Sequence, residues 1–198
     1  RPWVNVLANP GFGAHLSEAG GGYTWALNSR LNQLTPWSND AIADPPGEWF
    51  LLQDLKTREL WSVTPSAWGD AASTYRVAHG QGYSVITHRR GDLEVSAAWC
   101  VDAKTSVKQV RLRLTNRGHR TRRLRAIGIA EWVMGANRGD RASTDTASFT
   151  QRLPAAAPLD AKDAEPRKLI ALTCTQRDRS AGFGEGTAFL AVATHGDE

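Results

Sequence analysis

Short apolar stretches recur along this chain between clusters of Gly, Pro, Asn and Asp, and no window keeps apolar residues at helical spacing. That pattern limits the fold more than any single motif. Val4, Val6 and Ala8 alternate until Asn9-Pro10-Gly11 breaks the run. Trp49 to Leu52 and residues 59–64 read as a hairpin across Asp54 to Arg58. A loop at 65–73 precedes a strand at 74–79. Residues 83–88 and 93–101 form a hairpin across Arg90-Gly91-Asp92. A further hairpin is expected between 107–115 and 122–134 across Asn116 to His119, its second strand central because Ala126 to Met134 is apolar on both faces. Residues 135–146 read as a loop, Phe149 as the anchor of a short strand, 154–167 as a surface loop, and 168–174 and 187–194 as the last strands, with a glycine-rich turn at 182–186. About ten strands with turn signals between them predict an all-β fold, an antiparallel β-sandwich. No compositional break divides the 198 residues, so a single domain over 1–198 is expected, and a chain that opens on Arg1 reads as part of a longer protein.

Composition excludes several functions. The chain has no apolar run of about 18 residues, so no helical membrane span is expected. Its net charge is +4, and the densest basic patch is Arg111, Arg113, Arg117, Arg120, Arg122, Arg123 and Arg125. Arg111 and Arg113 alternate with Val110, Leu112 and Leu114, which reads as a solvated strand face; no nucleic-acid-binding module accompanies it. Cys100 and Cys174 sit in apolar, strand-like surroundings and read as buried thiols, with one disulfide as the alternative. His15, His79, His88, His119 and His195 share no ligand spacing, and no phosphate-cradling loop is present, so no metal and no cofactor are expected.

One stretch departs from core composition. Residues 20–40 hold three glycines, two tryptophans, a tyrosine, three asparagines, an arginine and an aspartate. Flat aromatic faces with fixed donors and acceptors suit a polyhydroxylated ligand, or a loop that pins itself down. The candidate contacts are Tyr23, Trp25, Asn28, Arg30, Trp37, Asn39 and Asp40. Asp40 reads either as a sugar-contacting carboxylate or as a turn residue bonded to its own backbone, and Arg30 as an ion-pair partner of Asp40 or Glu48. Further carboxylates in this part of the chain are Glu18, Asp44 and Asp54. His79-Gly80-Gln81-Gly82-Tyr83 is the second candidate stretch, read as a cleft wall through His79 and Tyr83 or as a bulge.

Asn-Pro-Gly-Phe-Gly (9–13), Ser-Glu-Ala-Gly-Gly-Gly-Tyr-Thr-Trp (17–25), Asn-Ser-Arg (28–30), Leu-Thr-Pro-Trp-Ser-Asn-Asp (34–40) and Asp-Pro-Pro-Gly-Glu (44–48) occur in an order that resembles the N-terminal part of glycoside hydrolase family 94, formerly glycosyltransferase family 36. Leu-Trp-Ser-Val-Thr-Pro (60–65), His-Gly-Gln-Gly-Tyr (79–83) and Glu-Trp-Val-Met-Gly (131–135) continue the series. The pattern is most like the phosphorylase-like region of cyclic β-1,2-glucan synthases. The resemblance implies a large antiparallel supersandwich of the galactose-mutarotase-like kind. It also implies phosphorolysis of β-glucosidic bonds by an aspartate in a following helical (α/α)6 barrel, so no catalytic residue is carried onto this segment. The implied partners are a β-glucan, the barrel of the parent chain, and a second subunit in a homodimer. The implied location is the cytoplasmic side of the inner membrane, within a polytopic parent. Two other readings stay open: a structural or dimerisation module with no sugar site, and a free-standing mutarotase-type enzyme using His79 or His88 as acid with a carboxylate base.

Overall fold

The computed structural model describes residues 3–40, 42–153, 167–178 and 185–193. Thirteen strands lie among them: β1 (Val4–Asn9), β2 (Phe12–Ser17), β3 (Gly22–Ala26), β4 (Glu48–Asp54), β5 (Leu60–Ser62), β6 (Arg76–Gly80), β7 (Tyr83–Arg90), β8 (Leu93–Val101), β9 (Lys108–Asn116), β10 (Leu124–Ala130), β11 (Thr144–Leu153), β12 (Arg167–Gln176) and β13 (Thr187–Val192). All the strand pairs are antiparallel. They form sheets of order β1-β2-β3, β10-β4-β5, β6-β7-β8-β9 and β11-β12-β13. The one described helix is a short 3-10 turn at Arg138–Ser143, closed at its start by a capping box between Asn137 and Asp140. The all-β supersandwich expected from the sequence is the observed architecture.

Period-two patterning builds the core. In β8, Leu93, Val95, Ala97 and Trp99 are buried and alternate with half-buried residues. They meet Ile86 of β7, Leu52 of β4, Trp61 of β5, and Leu7 and Leu16 of the first sheet, so three sheets share one cluster. Each fully buried large side chain there contributes roughly 1.5–3 kcal/mol. A smaller cluster of Met134, Cys174 and Ala188, with Leu34 and Trp132 against it, ties in the β11-β12-β13 sheet. Two asparagines stitch the first sheet to the four-stranded one. Asn5 Nδ2 donates to the Gly80 and Tyr83 carbonyls at 3.0 and 2.9 Å. Asn9 Nδ2 donates to those of Asp102 and Thr105 at 2.8 and 2.9 Å.

The β1, β4–β5 and β7–β8 expectations hold. The hairpin between 107–115 and 122–134 does not form. Lys108–Asn116 pairs instead with β8, across a turn in which the Asp102 carboxylate accepts from the Lys104 and Thr105 N–H groups. The following segment then crosses to β4, held by Arg122 on Asp54 at 2.8 Å and by the Leu55 N–H on the Arg123 carbonyl. Nor is the next strand central: β10 ends at Ala130, borders only β4 among the described strands, and is half-buried to exposed throughout. The 135–146 loop contains the 3-10 turn and the start of β11, whose ten residues outrun the short strand expected at Phe149. Most of the 154–167 loop and of the 182–186 turn lies outside the described residues. Cys174 is buried and Cys100 only half-buried; both are free thiols, so the disulfide alternative fails. Arg111 and Arg113 are exposed while Val110 and Leu112 turn inward, as expected of a solvated strand face.

Candidate functional site

The aromatic residues of 20–40 converge. β2 and β3 pair with His15 opposite Tyr23 and Gly13 opposite Trp25. Strand alternation therefore puts His15, Ser17, Tyr23 and Trp25 on one face of the sheet. At Gly13 a Cβ atom would fall inside the Trp25 indole, so only glycine lets that ring lie down on the sheet. Tyr23 is buried, with its ring centroid 5.0 Å from that of Trp25. Trp37 comes from the following loop and stacks on Tyr23 at 5.2 Å and 8°, remaining 46% exposed. His15 meets both rings edge-on, at 5.9 and 6.3 Å.

The loop between β3 and β4 is pinned by its own polar groups. Asn28 Oδ1 accepts from the Arg30 and Leu31 N–H groups, and Gln33 Oε1 from that of Trp37. Gln33 also bridges Trp25 on one side and Gly135 on the other. Leu27, Asn39 and Asp44 take left-handed backbone conformations, with φ of 63°, 49° and 35°. Such conformations persist only where surrounding contacts over-determine them. For Asp44 that contact is visible, because its carboxylate accepts the buried Ser17 hydroxyl.

The other predicted residues fall as follows. Asp40 is exposed and its carboxylate accepts from the Ile42 and Ala43 N–H groups, which also hold it below the usual carboxylate range. That is the turn role of the two weighed above. The ion pair expected of Arg30 does not form: Glu48 pairs with Lys108, and Asp40 faces its own backbone. His79 and Tyr83 sit on the β6–β7 hairpin, where Gly82 adopts φ of 77° and makes a tight turn rather than a bulge. His79 Nδ1 lies 3.0 Å from Ser84 Oγ, and Tyr83 is 50% exposed over Gly80. No described ring contact or hydrogen bond joins this pair to the aromatic cluster. His88 is buried, with Nε2 accepting the Trp61 indole N–H at 3.1 Å.

Two groups escaped sequence reasoning. His15 sits beneath Trp37 with its Nδ1 buried and unpartnered among the described residues. Burial lowers its pKa, against a smaller opposing pull from Asp44. Lys108 forms an ion pair with Glu48 under the sheet, and Glu48 also accepts from Thr24 and Thr35 at 2.6 and 3.0 Å. Burial pushes the Glu48 carboxyl up, but the charge and hydrogen bonds of Lys108, with those of the two threonines, outweigh it and leave it lowered. The sequence signal for Lys108 is its parity with the inward-facing Val110 and Leu112. The pair stands at the edge of a 370 Å³ cleft walled by Phe50, Ile127, Leu190 and Val192. Among the described residues no cluster of three metal-ligating side chains occurs, and no helix is long and apolar enough to cross a membrane.

The profile of the glycosyl hydrolase 94 supersandwich domain matches residues 1–198. The chain belongs to that family. Its relatives include the cyclic beta-(1,2)-glucan synthase NdvB of Rhizobium meliloti (strain 1021), 38% identical over 138 residues, which cover 70% of this chain and 5% of that protein. The N,N'-diacetylchitobiose phosphorylase of Vibrio proteolyticus is 29% identical over 56% of this chain and 15% of its own length. That of Vibrio furnissii is 33% identical over 42% and 11%. The chain thus matches only a small part of each relative. In this glycosyl hydrolase 94 supersandwich, the aromatic face of β2–β3 lies wholly within the segment that carries the family resemblance.

Proposed function

We propose that this chain is a non-catalytic, carbohydrate-facing supersandwich domain of a glucan phosphorylase or cyclic β-1,2-glucan synthase. The observation that carries the reading is the aromatic face in which Trp37, 46% exposed, stacks on buried Tyr23 beside Trp25 and His15. A sugar ring has an apolar face that packs on an exposed indole, and hydroxyl groups that need fixed partners at its rim. Asp44, half-buried and near enough to His15 to act on it by charge, supplies a carboxylate beside the rings, and the relatives named as acting on sugar polymers or disaccharides make a β-glucan the natural ligand class. Catalysis belongs to a helical (α/α)6 barrel of the parent chain, which this domain supports. The exposed Leu27, Leu31 and Ile42 around the same loop favour such a docking role. The 198 residues act as one domain, on the cytoplasmic face of the inner membrane when the parent is of the synthase type.

Calorimetric titration of the chain with linear and cyclic β-1,2-glucans tests the sugar reading. Saturable binding, even at millimolar affinity, is expected. No heat of binding at high glucan concentration would leave the domain a purely structural support.

A further inference from the structure

The loop that presents Trp37 has a second wall. Gln33 and Gly135 exchange backbone hydrogen bonds at 2.8 and 3.0 Å, and the Val133 N–H donates to the Leu34 carbonyl at 2.9 Å. Segment 131–143 therefore runs alongside the aromatic loop, and its own contacts fix its shape. Asp140 accepts from the Ala136 and Asn137 N–H groups, and a Cβ at Gly135 would collide with that carboxylate. Gln176 Nε2 of β12 donates to the Val133 and Asp140 carbonyls, both at 3.2 Å. Met134 keeps a left-handed φ of 48°, a conformation that such contacts must over-determine. Two arginines rise from this segment and share the Glu131 carboxylate, Arg138 Nη1 donating at 2.6 Å and Arg141 Nη1 at 2.9 Å. They differ in what else they reach. Arg138 Nη2 lies 3.4 Å from the hydroxyl of Ser38, the residue after Trp37, and its side chain is 39% exposed. Arg141 is 62% exposed, and no described hydrogen bond or ion pair joins it to the aromatic loop. Among the described residues, nothing takes the remaining N–H groups of Arg138.

We infer that Arg138 sets linkage selectivity on the sugar face, by donating to two adjacent hydroxyls of the glucose unit stacked on Trp37. The inference rests on the sugar reading above. A guanidinium offers parallel N–H donors in one rigid plane, and hydroxyls on neighbouring ring carbons offer paired acceptors to match it. The Glu131 carboxylate fixes the direction of that fork before any ligand arrives, which lowers the ordering cost of binding. Linkage decides which glucans present such a pair. An internal β-1,2-linked unit keeps its 3- and 4-hydroxyls free and adjacent, and a β-1,4-linked unit keeps its 2- and 3-hydroxyls. An internal β-1,3-linked unit has free hydroxyls at carbons 2, 4 and 6, no two of them neighbours. It could still stack on the indole, but it would leave the fork without its second acceptor. A site built to bond hydroxyls discriminates strongly against a ligand that lacks them.

Calorimetry on the whole chain tests this with cyclic β-1,2-glucan, a cello-oligosaccharide and a long linear β-1,3-glucan, compared per glucose unit. The wild type should bind the first two at least about tenfold more tightly than the third. Arg138→Lys keeps the charge beside Glu131 and loses the planar fork. Its melting temperature should be unchanged, while the discrimination should shrink to within about twofold. Arg141→Gln removes the other ion pair to Glu131 and should leave the discrimination as it was. That control separates the reading of hydroxyls from support of the loop. Wild-type binding without discrimination overturns the inference and leaves the sugar reading standing. So does discrimination that survives Arg138→Lys, or that is lost equally in Arg141→Gln. Binding of none of the glucans removes the sugar reading itself, and this inference with it.

Discussion

Two aromatic clusters in this domain share a composition and differ in closure. One joins Trp61, Tyr75, His88 and Arg90; the other joins Tyr23, Trp25, Trp37 and His15. In the first, Trp61 is 2% exposed, its indole N–H is held by His88, and the Arg90 guanidinium sits 4.4 Å above its ring. Tyr75 lies 4.5 Å from the His88 ring and donates its hydroxyl to the Ser62 carbonyl. Each of these groups is turned toward another part of the protein. In the second cluster Tyr23 is the only fully buried ring, and Trp37, 46% exposed, leaves surface open. The polar groups around it, Asp44, Ser17 and Gln33, fix the loop that presents that indole. The difference lies in what arrives over the rings: a strand of the domain covers the first, and a loop pinned by its own side chains edges the second.

Trp61→Ala strikes the closed cluster and should show the largest effect. It opens a cavity, strands the His88 acceptor and removes a cation–π partner, costing about 3–5 kcal/mol. Denaturant unfolding would check this, and a loss under about 1 kcal/mol would mean that the cluster is not where stability resides. The ion pair beneath the open cluster comes next. Lys108→Met leaves Glu48 charged and enclosed, and should cost about 3 kcal/mol, while adding Glu48→Gln should recover much of it. Equal losses in the single and double variants would contradict the pairing.

Acid should reveal a smaller, gradual loss from the closed cluster. Burial is the main reason the His88 pKa falls from 6.5 to about 4. The unfolded chain then binds more protons than the folded one between those values, so the contribution is complete above about pH 6.5 and lost as pH falls toward 4. Stability measured across that window should lose part of its slope in His88→Gln; an unchanged slope would assign the titration to another group. Trp37→Ala should have the smallest effect, under about 1 kcal/mol, because so much of that ring is already in water.

The sequence makes the strand pattern and the aromatic stretch legible because both are local. Alternation places Leu93 to Trp99 in the core without knowledge of their partners, and 20–40 stands out by composition alone. What escapes it depends on partners distant in the chain. The choice of β8 over β10 as neighbour of β9 is made by the Asp102 turn and by the anchoring of Arg122 on Asp54, 68 residues away. Arg30 was the nearby cation for Glu48, but Lys108, 60 residues on, has the inward parity that delivers an ammonium under the sheet. Asp40 carries both a ligand and a turn signal in the sequence, and the turn is local enough to form by itself: a carboxylate two and three residues ahead of free N–H groups is captured by them.

The most direct test sets two exposed tryptophans against each other. Trp37 and Trp68 are 46% and 59% exposed, and only Trp37 belongs to the proposed sugar face. Fluorescence titration with linear β-1,2-glucan should saturate for the wild type and for Trp68→Ala, and should vanish for Trp37→Ala while its fold and melting temperature are kept. Binding that survives Trp37→Ala, or that disappears in Trp68→Ala instead, would contradict the account and move the sugar site off this face.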